Sequence, residues 1–168
     1  MMDLMTQLEN SGFSTWVRES NSLLAYPMIL FLHTVGMGLL AGVSGLVDLR
    51  ILGLAPEIPV NAMERLQPVM WGGFALNALT GIILFCPDAT VKSISPVFYT
   101  KLVFVAMAMF LSVSIKKNVF RDELADKRPM PMNSKVLALA SLFCWLGAIT
   151  AGRLLAYVGP STTSAITK

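Results

Sequence analysis

The chain has 168 residues, 55% of them hydrophobic and only 14% charged, with a formal net charge of +3. Soluble domains run at about 45–50% apolar and about 25% charged, so this balance, with a mean hydropathy of +0.66, excludes an ordinary soluble domain and predicts an all-α, polytopic membrane protein. The basic residues cluster where a positive-inside loop would place them, which excludes a nucleic-acid-binding surface.

Three regions are predicted: an N-terminal interfacial segment (1–22), a four-helix transmembrane domain (23–158) and a polar C-terminal tail (159–168). The leading segment carries Asp3, Glu9, Arg18 and Glu19 and lacks an apolar run, so no cleavable signal peptide is expected. Phe13, Trp16 and Val17 share one face of a short helix, with Arg18 and Glu19 on the other. This pattern suits a helix lying in the membrane interface with Trp16 at headgroup depth. A plain polar tail is the alternative.

The first span is placed from Leu23 to Val47, long enough to cross a bilayer, which takes about 20 apolar residues. Pro27 falls in its first turns, where proline costs least. The charges of Asp48-Leu49-Arg50 are expected to end it. Gly38 and Gly42 form a G-x-x-x-G pair, with Gly45 beyond, and small residues of this kind let a neighbouring helix approach closely. Tyr26, Leu30, His33, Met37, Leu40 and Ser44 fall on one stripe by helical spacing. His33 is the only histidine of the chain.

A polar connection follows, broken by Pro56 and Pro59. Asn61 and Glu64 have the spacing of a capping box. The second span runs from about Pro68 to Phe85, with Gly73, Asn77 and Gly81 four residues apart on one stripe. Asn77 reads as an interhelical hydrogen-bonder, and Thr80 as a residue that bonds its own helix backbone. After Pro87 and Asp88, a third span begins near Val97 and ends before Lys116. Lys101 sits close enough to its start to snorkel outward. Residues 116–135 form the most charged loop. The fourth span, about Val136 to Val158, carries small residues at Ala140, Cys144, Ala148 and Gly152. Trp145 lies inside it, and Arg153 and Tyr157 lie near its far end. Cys86 and Cys144 have no metal-ligand spacing and read as two packed thiols.

Four spans put both termini and the second loop on one side and the first and third loops on the other. The third loop holds Lys116, Lys117, Arg121, Lys127, Arg128 and Lys135, against Arg18 and Lys92 opposite. That excess places loop 116–135 in the cytoplasm and both termini in the periplasm of a bacterial inner membrane.

These residues together resemble an uncharacterised family of small bacterial inner-membrane proteins, a four-helix family of unknown function. The resemblance rests on Leu32-His33-Thr34-Val35-Gly36 and Asp48-Leu49-Arg50-Ile51-Leu52-Gly53 around the first span. It continues with Gly73-Phe74, Asn77 and Thr80-Gly81 in the second. It closes with Trp145-Leu146-Gly147, Gly152-Arg153 and Ala156-Tyr157 in the fourth. The layout is also similar to the membrane domains of copper-resistance proteins and of small four-helix b-type cytochromes, which hold haem between histidines. This chain departs from them in having no second histidine, so a bis-histidine haem within one chain is excluded.

Three readings of His33 stand open: a hydrogen-bonding core residue, an axial ligand to haem or another metal, and a polar handle on a quinone or lipid headgroup. Under the last two, Tyr26, Met37, Asn77 and Arg153 are the further candidate contacts, and His33 is a metal ligand only if haem is bound. Asp48, Arg50, Lys101 and Tyr157 read as structural polar residues, with Asp48 and Arg50 at the inner face as an ion pair or lipid contact. No Ser-His-Asp set, phosphate loop or metal-spaced cluster appears. Without carboxylates inside the spans, a proton-driven transporter is not expected. Two function classes remain. One is a non-catalytic subunit that packs into a larger inner-membrane complex, such as a redox complex, or onto copies of itself, with membrane lipids around it. The other is a small redox carrier holding haem b or quinone at His33. The surplus of small residues on the first span favours the first, with protein contact along that span and at the outer termini.

Overall fold

A computed structural model describes residues 2–54, 56–119 and 130–157. All regular structure among them is helical. Two short helices, α1 (Met2–Glu9) and α2 (Gly12–Glu19), precede the long α3 (Tyr26–Leu52). Then come α4 (Val60–Glu64), α5 (Gln67–Phe85), a 3₁₀ turn (Cys86–Asp88), α6 (Ala89–Ile94), α7 (Pro96–Val119) and α8 (Met132–Tyr157). Four stretches are long and apolar enough to cross a membrane: Tyr26–Leu52, Ala62–Ile94, Pro96–Lys117 and Met132–Leu155. The C-terminal tail and the middle of the basic loop, residues 120–129, lie outside the described residues.

Charge does not end the first long helix. Helix α3 runs through Asp48 and Arg50, both buried at 1% and 8% exposure, and stops at Gly53. That glycine sits at φ 95° and its N–H reaches back to the carbonyls of Arg50 and Leu49, while the Leu54 N–H bonds Leu49 O at 3.1 Å. This is a left-handed glycine closure, which satisfies the last free carbonyls and needs a residue without a Cβ. At 27 residues and ~1.5 Å per residue, α3 is longer than the hydrocarbon thickness, so it must tilt or let its ends reach the interface. The expected capping box is not formed either: Pro59 is the N-cap of α4, with no side-chain cap bond, and Asn61 is already inside the helix.

Helix α3 packs against α5 and α8, and α7 packs against α8. The α3–α5 crossing is backbone on backbone. A Cβ built on Gly36 would lie 2.8 Å from Asn77 N and 3.0 Å from Gly73 O, and one on Gly73 would lie 2.8 Å from Leu39 Cβ and 2.9 Å from Leu40 N. At Gly38 and Gly42 a Cβ would meet nothing within 4 Å. The G-x-x-x-G pair therefore faces outward, and Gly36 against Gly73 makes the internal contact. Between α7 and α8 the Phe104 ring lies across Gly147, 2.9 Å from where a Cβ would stand.

Two apolar clusters fill the interior. One joins Val47, Ile51, Val60, Met63, Ile115, Val119 and Ala138 at the end of α3. The other joins Leu40, Met70, Ala108, Cys144 and Trp145 in the middle, with Met37 packed against it. Both cysteines are free.

The N-terminal helices dock on the connection after α5. Glu9 Oε2 accepts the Thr90 N–H at 3.1 Å and the Thr90 hydroxyl, and Arg18 donates to Pro87 O at 3.4 Å. Ser11 caps α2. Val17 and Ser14 are fully buried while Phe13 and Trp16 stay about half exposed. Val17 thus turns inward, away from the face it was expected to share with the two aromatics.

Candidate functional site

The polar side chains inside the long helices form three layers. At the start of α3, His33 faces α5 and α7. Its Nδ1 lies 3.0 Å from Thr80 Oγ1. The single Thr80 hydroxyl proton is directed to helix carbonyls, Leu76 O at 2.6 Å or Asn77 O at 3.2 Å, so Oγ1 accepts and Nδ1 carries the imidazole proton. Nε2 is then the acceptor, and Lys101 Nζ stands 3.3 Å from it. The Asn77 amide donates to His33 O at 2.9 Å and approaches Nε2 at 3.5 Å. Asn77 is the interhelical hydrogen-bonder its mid-span position predicts, and Gly73, Asn77 and Gly81 all face α3, as their spacing predicts. Glycine at 81 leaves room for the imidazole, since a Cβ there would approach His33 Cε1 to 3.2 Å.

Lys101 does not snorkel outward. It turns in to His33 and lies over Gly152 of α8, where a Cβ would be 3.6 Å from Lys101 Cε. Helices α5 and α7 therefore meet α3 around one imidazole, with α8 behind Lys101, and both ring nitrogens are engaged. A haem iron would have to displace Lys101 and Asn77 to reach Nε2, so this arrangement does not fit an axial ligand. The other candidate contacts are not gathered there. Tyr26 is 44% exposed, Arg153 is exposed, Tyr157 is 66% exposed, and Met37 packs into the middle apolar cluster. The stripe expected from Tyr26 onward faces inward only from His33.

The second layer, not anticipated as a site, is a directional chain. Trp145 Nε1 donates to Ser44 Oγ at 2.9 Å, Ser44 lies 2.8 Å from Ser112 Oγ, and Ser112 donates to Ala108 O at 2.9 Å. Because the Ser112 proton is spent on Ala108, Ser44 is the donor between the two hydroxyls. All three side chains are buried. The chain ties α3, α7 and α8, and its signal in the sequence is three polar side chains on apolar stripes of three different helices.

The third layer lies one turn further along α3, at Asp48. The expected Asp48–Arg50 ion pair is not formed: Arg50 Nε donates to Ile58 O, and neither Asp48 oxygen has a hydrogen-bond partner. The two side chains leave a helix about 200° apart at two residues' spacing, so they face different neighbours. Ser141 of α8 is fully buried and lies close enough to Asp48 to interact with it.

No group of three or more metal-ligating side chains occurs among the described residues. The polar layers cross-link helices, each by atoms already committed to protein partners except at Asp48. Comparison with models of protein families, with curated proteins and with solved structures finds no match for this chain.

Proposed function

We propose that this chain is a non-catalytic integral subunit of a bacterial inner-membrane complex, packing sideways on the spans of its neighbours. The observation that carries the reading is the outward G-x-x-x-G face of α3: Gly38 and Gly42 are exposed, with nothing within 4 Å of a Cβ at either. Glycines on a lipid-facing surface add no hydrophobic contact of their own. Their use in membranes is to admit a second backbone. The His33 imidazole supports the same reading, since its nitrogens serve neighbouring helices of the chain. Leucine at both positions should lower association, read as cross-linking yield or energy transfer between labelled copies and partners in native membranes, while the melting of the isolated chain is unchanged. A wild-type protein that stays monomeric in native membranes and in mild detergent sinks the proposal.

The membrane arrangement belongs to the same proposal. The spans form an antiparallel four-helix bundle, with α1 and α2 lying in the outer interface and Phe13 and Trp16 at headgroup depth. The exposed rings of those two residues support this, as does the gathering of the α3 end, α4, the α7 end and the α8 start in one apolar cluster. The charge count puts that cluster on the cytoplasmic side, and both termini in the periplasm. Cysteine placed at Ala125, in a chain without Cys86 and Cys144, should react with an impermeant maleimide only from the cytoplasmic face. Labelling from the outer face alone reverses the orientation. The four-helix family of unknown function that the motifs resemble is the proposed kinship, with lipid and other spans as its partners.

A further inference from the structure

Asp48 is the only buried acid among the described residues, at 1% exposure. Both of its oxygens lack a hydrogen-bond partner, and so does Ser141 Oγ, at 0% exposure. The two side chains are close enough to interact, without hydrogen-bond geometry in the arrangement seen. Nearby positions on the same two helices, Val47 and Ile51 of α3 and Ala138 of α8, belong with Ile115 to the buried apolar cluster at that end of the bundle. The charged groups on the packed elements point elsewhere. Arg50 holds Ile58 O, Glu64 and Arg65 are exposed, Lys116 and Lys117 of α7 are exposed, and Lys135 of α8 is half-buried six residues from Ser141.

Native interiors pair nearly all their buried polar atoms, and three orphans side by side call for an occupant. An ionised carboxylate sealed there would have the one Ser141 hydroxyl as its donor, which leaves most of its desolvation cost uncompensated. A metal cation is a poor candidate, because three oxygens fall short of the six or so that hard cations collect. The neighbouring hydroxyls of Ser44 and Ser112 are committed to the Trp145 chain. A proton needs only one oxygen to hold it and one to receive the hydrogen bond, and the pair supplies both. Ionisable groups placed inside spans generally mark proton or ion paths.

We propose that Asp48 and Ser141 form a proton-loading site in the membrane domain. Asp48 takes one proton from the aqueous phase on an Oδ atom, becoming the neutral acid, and donates that proton as a hydrogen bond to Ser141 Oγ. Release of the same proton regenerates the carboxylate, so the cycle balances without any other reactant. The site is independent of the subunit reading, since it needs no neighbour along Gly38 and Gly42.

Dicyclohexylcarbodiimide, an apolar reagent that attacks protonated carboxyl groups inside hydrocarbon, tests this on the wild-type protein in membranes. The expected result is an N-acylurea adduct mapped to Asp48 by mass spectrometry, falling as the pH is raised while helix content holds, unaffected by sodium, and absent in Asp48→Asn. In infrared difference spectra, the C=O stretch of a protonated carboxyl should vanish in Asp48→Asn and move to higher frequency in Ser141→Ala, where the acceptor is gone. A merely structural serine would not move that band. No adduct at Asp48 at any pH, or protection of Asp48 by sodium, overturns the proposal.

Discussion

Replacing Gly73 with leucine is expected to abolish the folded protein, and alanine at the same position to weaken it measurably. The first side-chain atom at position 73 would stand 2.8 Å from Leu39 Cβ, 2.9 Å from Leu40 N and 3.0 Å from Gly36 O. Two of those are backbone atoms of α3, so relief requires the helices to part. Overpacking of this kind costs about 1–3 kcal/mol. Parting the helices also stretches the Asn77 to His33 O bond of 2.9 Å, worth about 0.6–2 kcal/mol more in a membrane protein. Denaturant titration in detergent, followed by circular dichroism, should place Gly73→Ala at least ~1 kcal/mol below wild type. Gly38→Ala, where nothing stands within 4 Å, should stay within ~0.5 kcal/mol of wild type. Equal losses from the two substitutions would show that the α3–α5 crossing is not built on the Gly36–Gly73 contact.

Trp145→Ala should be the most damaging truncation of a side chain. The indole is 3% exposed, fills the middle apolar cluster with Leu40, Met70 and Ala108, and donates to Ser44 at 2.9 Å. Truncating a large buried aromatic costs about 3–5 kcal/mol, and here it also strips Ser44 of a donor. Trp145→Phe lessens the packing loss while removing the N–H, since it keeps one six-membered ring in place of the bicyclic indole. Its expected cost is about 0.6–2 kcal/mol for the lost interhelical hydrogen bond, plus a smaller cavity cost than alanine leaves. A double-mutant cycle of Trp145→Phe with Ser44→Ala should return a coupling of at least ~0.5 kcal/mol. Additive losses would mean the Trp145–Ser44–Ser112 chain is not made in the membrane.

The two predictions share a reason. Between the spans, burying apolar surface gives little net drive, because lipid is as apolar as the interior. What holds one set of helices in one arrangement is close packing and directional bonds. Glycine against glycine brings α3 and α5 together, and single hydrogen bonds at His33, Asn77, Ser44 and Trp145 set their register.

The sequence alone carries the class and the number of long apolar helices, because about 20 apolar residues in a row have few alternatives to crossing a membrane. It also marked the inward stripe of Gly73, Asn77 and Gly81, because a mid-span amide must find a partner, but it placed the start of the first span at Leu23, three residues before α3 begins at Tyr26. It could not decide which glycines of α3 face inward. With lipid on one side and protein on the other, a membrane helix is apolar all round and its periodicity does not mark the inner face. Only the tertiary structure separates Gly36, pressed on Gly73, from Gly38 and Gly42, which stand open. The same holds for the charges. Lys101 reads as a snorkelling residue from its position near a helix start, and turns inward only because His33 Nε2 and the small Gly152 receive it there. Asp48 reads as the end of a span, and becomes an interior residue because Gly53, five residues later, is what stops the helix, and because α8 brings Ser141 to cover it.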